Sequence, residues 1–187
     1  MSRPLARLVL LLIAFILLGT VCSLPRAFPP PNPTALPPPE TPTETVNTCA
    51  FVWASQDLTQ LSEQLLKQLK EAELPVRVAR ASAYGENCVF GDGRIERFVA
   101  RQTDFYITLE IDTLNNPITL GKLLEQTLDV IDGLPLDKIL GSNPGQIGIT
   151  FRAGDTEDNL WFERTRAKTL REQGLSGAAL YQALKEK

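Results

Sequence analysis

The chain has 187 residues, with 19 lysines and arginines against 22 aspartates and glutamates, and no histidine. Without histidine, Ser-His-Asp and Cys-His nucleophile chemistry, histidine general bases and nearly all catalytic zinc sites are excluded; lysine-, tyrosine- or carboxylate-based chemistry is not. The formal charge is −3, and the part beyond residue 46 carries −4, the wrong sign for a phosphate-backbone binder, so no nucleic-acid partner is expected.

Residues 1–23 read as an export segment. Arg3 and Arg7 precede an apolar run from Leu8 to Leu18, followed by Gly19, Thr20, Val21, Cys22 and Ser23. Three outcomes are open: cleavage after Ser23 and secretion, lipid attachment at Cys22, or retention as an uncleaved anchor. Gly19-Thr20-Val21 departs from the usual residues before a lipidated cysteine, and Leu8–Leu24 sits at the short end of a bilayer span. A membrane anchor on the extracytoplasmic side is the expectation.

Residues 24–46 hold nine of the fourteen prolines, between Pro25 and Pro42. Proline lacks an amide hydrogen and fixes φ, so this stretch is expected to be an extended, disordered spacer reaching up to about 70 Å, rather than a PxxP docking ligand.

Residues 47–187 carry periodic apolar residues and read as one globular domain. Cys49–Ala54 predicts a strand. Asp57 with Gln60 reads as a capping box for a helix whose stripe is Leu58, Leu61, Leu65, Leu69 and Ala72, ending at Pro75. An extended segment to Cys88 follows, and Asp92-Gly93 predicts a type I′ hairpin turn. From Phe105 to Asp112, Phe105, Ile107, Leu109 and Ile111 alternate with mostly polar residues, a half-buried strand.

Asn116-Pro117 opens a second helix with Leu120, Leu123, Leu124, Leu128 and Ile131 inward, stopped by Gly133 and Pro135. Ile147, Ile149 and Phe151 mark a strand, Gly154–Asn159 a turn, and Leu160 and Phe162 its partner strand. Helical residues at 167–172 precede a last helix capped by Ser176, bearing Ala179, Leu180, Ala183 and Leu184.

The fold class expected is α+β, a mostly antiparallel sheet with helices on one face. An echo between Leu61–Leu69 and Leu120–Leu128 adds the option of two split βαβ, ferredoxin-like halves.

Cys49 and Cys88 are the only cysteines of this domain, and an oxidising destination predicts a disulfide between them. Asp155, Glu157, Asp158 and Asn159 have calcium-type oxygens but read as a solvated hairpin tip, without the ligand order of an EF-hand. Glu86, Asp104, Glu110 and Asp112 are the carboxylates from which a glycosidase pair would be drawn, though strand alternation alone yields such pairs. Arg152 and Arg164 could line a recess for an acidic ligand, with cross-strand ion pairing the plainer reading. No phosphate-loop pattern occurs among the glycines, and no cofactor or metal is expected.

Trp161 shares a strand face with Glu163, opposite Leu160 and Phe162. It is expected either on the outer face of the sheet near Arg152 and Tyr106, as a partner surface, or under the C-terminal helix as a second small core.

With its export segment, its spacer, the stretch Ala83–Cys88, and Ala153-Gly154-Asp155 followed by Leu160-Trp161-Phe162, the chain resembles a group of uncharacterised exported, lipoprotein-like bacterial proteins. That resemblance implies a small α+β domain and brings no activity with it. Two functions are carried forward: a tethered binding or interaction module for a protein or glycan partner, and a small carboxylate-dependent hydrolase of envelope polymers.

Overall fold

The computed structural model describes residues 48–186, a single α+β domain. The predicted export segment at residues 1–23, with Cys22, and the proline-rich residues 24–46 lie outside the described residues. No helix among those described is long and apolar enough to cross a membrane.

The elements run β1 (Ala50–Asp57), α1 (Thr59–Glu71), β2 (Val76–Val89), β3 (Ile95–Glu110), α2 (Pro117–Asp132), a 3-10 turn at Leu136–Lys138, β4 (Gln146–Ala153), β5 (Thr156–Glu163), α3 (Arg164–Glu172) and α4 (Gly177–Lys185). The five strands form one sheet in sequential order. Only the β3–β4 pair is parallel, because α2 carries the chain back across between them.

The helical stripes explain why the helices share one side of this sheet. Leu61, Leu65 and Leu69 of α1 and Leu120, Leu124, Leu128 and Ile131 of α2 are buried in one cluster with Phe105, Ile107, Leu109, Ile147, Ile149, Phe151, Leu160 and Phe162. Ala167 of α3 and Leu180, Tyr181 and Leu184 of α4 complete it. Each fully buried large side chain contributes about 1.5–3 kcal/mol relative to exposure. α2 and α4 meet where both backbones are bare: a Cβ on Gly121 would lie 2.1 Å from the carbonyl carbon of Gly177.

Several local expectations are corrected. Asp57 ends β1 and pairs with Arg80 at 3.4 Å; the N-cap of α1 is Leu58, whose side chain has no capping atom. At Asp92-Gly93 only Gly93 has positive φ, and its N–H donates to Phe90 O. The turn therefore leaves the left-handed residue after Asp92, as in a longer hairpin loop, where type I′ would need both central residues there. β5 begins at Thr156, so Glu157–Asn159 are strand residues. In α4 the inward residue the spacing missed is Tyr181, while Ala179 is exposed. Sequential strand order also differs from a split βαβ, which needs an intervening strand between its two parallel ones.

Cys49 and Cys88 are joined by a disulfide with their Cα atoms 5.2 Å apart, tying the start of the edge strand β1 to the buried end of β2.

Candidate functional site

Among the described residues, the sheet face opposite the helices is uncovered, and strand register decides what it displays. One row crosses it as Arg80, Tyr106, Gly148 and Trp161; the next as Val78, Thr108, Thr150 and Asn159. Alternation sends Phe105, Ile107, Leu160 and Phe162 inward, so Tyr106 and Trp161 must point outward. Trp161 is 48 % exposed and is not beneath the C-terminal helix.

Gly148 lets the indole lie down on the sheet. A Cβ there would stand 2.7 Å from Cε3 and Cζ3 of Trp161. The ring instead leans across β4 towards Tyr106, with centroids 5.4 Å apart and planes 35° apart. The Arg80 guanidinium sits 5.2 Å from the Tyr106 ring centre and is itself steered by Asp57. Burial raises the Tyr106 phenol above its ordinary pKa and the nearby Asp104 charge adds to this, with Arg80 opposing. The hydroxyl thus stays protonated as a donor at neutral pH.

Beside the two rings, and lined by both, lies a recess of about 180 Å³ whose other lining residues include Val78, Thr108, Thr150 and Asn159. Thr150 Oγ1 lies 2.7 Å from Asn159 Oδ1, a bond that commits the hydroxyl hydrogen and the amide oxygen while leaving the amide N–H donors for a ligand. Aromatic walls with neutral hydrogen-bonding groups make this a place for a flat, hydroxylated or amide-bearing ligand.

Arg152 lies two rows from Trp161, at the far rim, with its guanidinium donating to Glu157 across the β4–β5 ladder. On the same face, towards β1, Trp53 stacks on Tyr84 with ring centres 5.3 Å apart and planes within 6°. Tyr84 is four residues along β2 from Arg80, an offset of about 13 Å. The sequence reading missed this second aromatic pair; the alternation of β1 with Ser55 and Asp57 was its signal.

The other candidate residues do not converge. The calcium-type oxygens are dispersed: Glu157 binds Arg152 on the uncovered face, Asn159 bonds Thr150, and Asp158 turns to the helix side to receive Tyr181 Oη–H and Lys185 Nζ–H. Arg164 begins α3 and pairs with Asp132, away from Arg152. Among the carboxylates, Glu86 is held by Arg101, and buried Asp104 accepts from Gln102 Nε2 and the Gln146 amide. Glu110 and Asp112 line a recess of about 440 Å³, where Glu110 is paired with Arg77 at 3.0 Å.

Comparison with known protein families, curated proteins and solved structures finds no match to this chain.

Proposed function

We propose that this protein is an exported, membrane-tethered binding module of the lipoprotein-like kind, whose uncovered sheet face takes a neutral saccharide chain in the extracytoplasmic space. The observation that carries the reading is the recess lined by Tyr106 and Trp161. Sugar rings present flat C–H faces that pack on aromatic side chains, and hydroxyls that match Thr108, Thr150, Asn159 and the Tyr106 phenol. Rigid aromatic area costs little side-chain entropy on docking. The Trp53–Tyr84 pair extends the same face, so a polymer rather than a single sugar suits it. The tether positions the module, and the residues of the recess include no carboxylate to act as acid or nucleophile.

The test is a titration of the full-length protein with neutral oligosaccharides cut from envelope polymers, read by tryptophan fluorescence and calorimetry. Trp161→Ala is expected to weaken binding at least about tenfold, equivalent to 1.4 kcal/mol, while the thermal unfolding curve stays near wild type. No saturable binding across the panel, or equal binding by Trp161→Ala, overturns the reading.

A further inference from the structure

β1 is an edge strand with unusual composition for an edge. From Ala50 to Gln56 it has no charge and no proline, and Phe51, Val52 and Trp53 are 54 %, 53 % and 61 % exposed on its two faces. Edges in soluble proteins are ordinarily blunted by charge, proline or a cover. The opposite edge, β5, is protected in that way by Glu157, Asp158 and Glu163.

The outward backbone of β1 can be identified. Leu58 N–H donates to Ala81 O at 3.0 Å, and Ser82 Oγ donates to Gln56 O at 3.1 Å. With an unbroken β1–β2 register, the even-numbered residues turn their amides toward β2. Phe51, Trp53 and Ser55 therefore turn theirs outward, where no described residue pairs with them.

We propose that β1 pairs antiparallel with β1 of a second copy, about a two-fold axis at Trp53. In that register Trp53 faces Trp53, Phe51 faces Ser55, Val52 faces Ala54 and Ala50 faces Gln56. Outward amides then meet outward amides, Phe51 and Val52 each meet a small residue, and no two charges are opposed. A second copy is the occupant because the segment is its own complement in this register. Pairing β5 with β5 would bring acidic strands together, and pairing β1 with β5 would leave an open-ended stack, whereas the two-fold closes. Ten strands become one sheet, with the two Trp53–Tyr84 pairs adjacent at the seam on the uncovered face. This inference stands independently of the saccharide reading.

The test is thiol cross-linking of the purified full chain, in a Cys22→Ser background, with a short bis-maleimide. Trp53→Cys at the two-fold is expected to give a covalent dimer, and Thr156→Cys at the other edge is expected to stay monomeric. Adding Val52→Lys, or Ser55→Pro to remove an outward N–H without touching the β2 ladder, should abolish the dimer. Val52→Lys keeps the test decisive if Ser55→Pro fails to fold. A monomer from Trp53→Cys, equal cross-linking at both edges, or a dimer unmoved by Val52→Lys overturns the pairing. Saccharide binding by a protein that remains monomeric would sink this inference alone.

Discussion

The indole of Trp161 lies directly over Gly148, so close that a methyl group at residue 148 would meet ring atoms at 2.7 Å. Gly148→Ala is expected to lift the indole from the sheet and reshape the recess. The obstacle is a half-exposed side chain that can rotate, so folding stability should change by no more than about 1 kcal/mol. Tryptophan emission should shift and oligosaccharide affinity should fall. Unchanged emission and affinity would remove Gly148 from the account of the site.

Gly121→Ala is the contrasting case. Its new Cβ would meet the Gly177 carbonyl at 2.1–2.3 Å, and backbone cannot rotate aside. Although alanine favours helix by about 1 kcal/mol over glycine, overpacking costs about 1–3 kcal/mol, so a net loss of stability is expected in denaturant titration. A stabilised variant would show that α2 and α4 are free to separate.

The Asp158–Tyr181–Lys185 cluster pins α4 to β5 and gives stability a pH dependence. Burial alone would raise the Asp158 carboxyl, but hydrogen bonds from Lys185 and Tyr181 outweigh it and hold the carboxyl below its ordinary value. A depressed folded-state pKa means the contribution is present above about pH 3.8 and is lost as pH falls through the folded value. Lys185 is raised, first by its bond to Asp158 and then by that to Tyr181. Its contribution is present below pH 10.5 and is lost as pH rises through the folded value. Unfolding curves of Asp158→Asn should flatten at both ends relative to wild type. Parallel curves would deny the cluster this role.

Reducing the Cys49–Cys88 bond, or replacing both cysteines by serine, is expected to cost about 4 kcal/mol from loop entropy. Hydrogen exchange should open first at Val52, Ala54 and Gln56, whose amides face β2, because within one chain β1 has a strand on one side only. Protection unchanged in β1 after reduction would show that the β1–β2 ladder holds the edge without the bond.

Cys22→Ser is expected to release the protein from membranes if Cys22 carries a lipid, and to leave it there if the segment is an uncleaved helix. Wild-type protein recovered as a soluble species beginning at Leu24 would end the tether proposal.

Local periodicity made much of this fold legible. Leu61, Leu65 and Leu69 could occupy one side only of a helix, and Phe105, Ile107 and Leu109 one side only of a strand. The opposition of Trp161 to Leu160 and Phe162 follows from the same rule. What periodicity does not contain is which strand lies beside which. That Tyr106 meets Trp161 required β3 and β4 to pair in parallel and the residue between them to be glycine. The Trp53–Tyr84 stack required β1 to lie beside the far half of β2, and the Asp158–Tyr181 bond required α4 to lie beside β5. Hydrophobic patterning acts over a few residues and decides which way each side chain faces. The neighbours it meets are decided by the packing of the whole core, to which every element contributes at once.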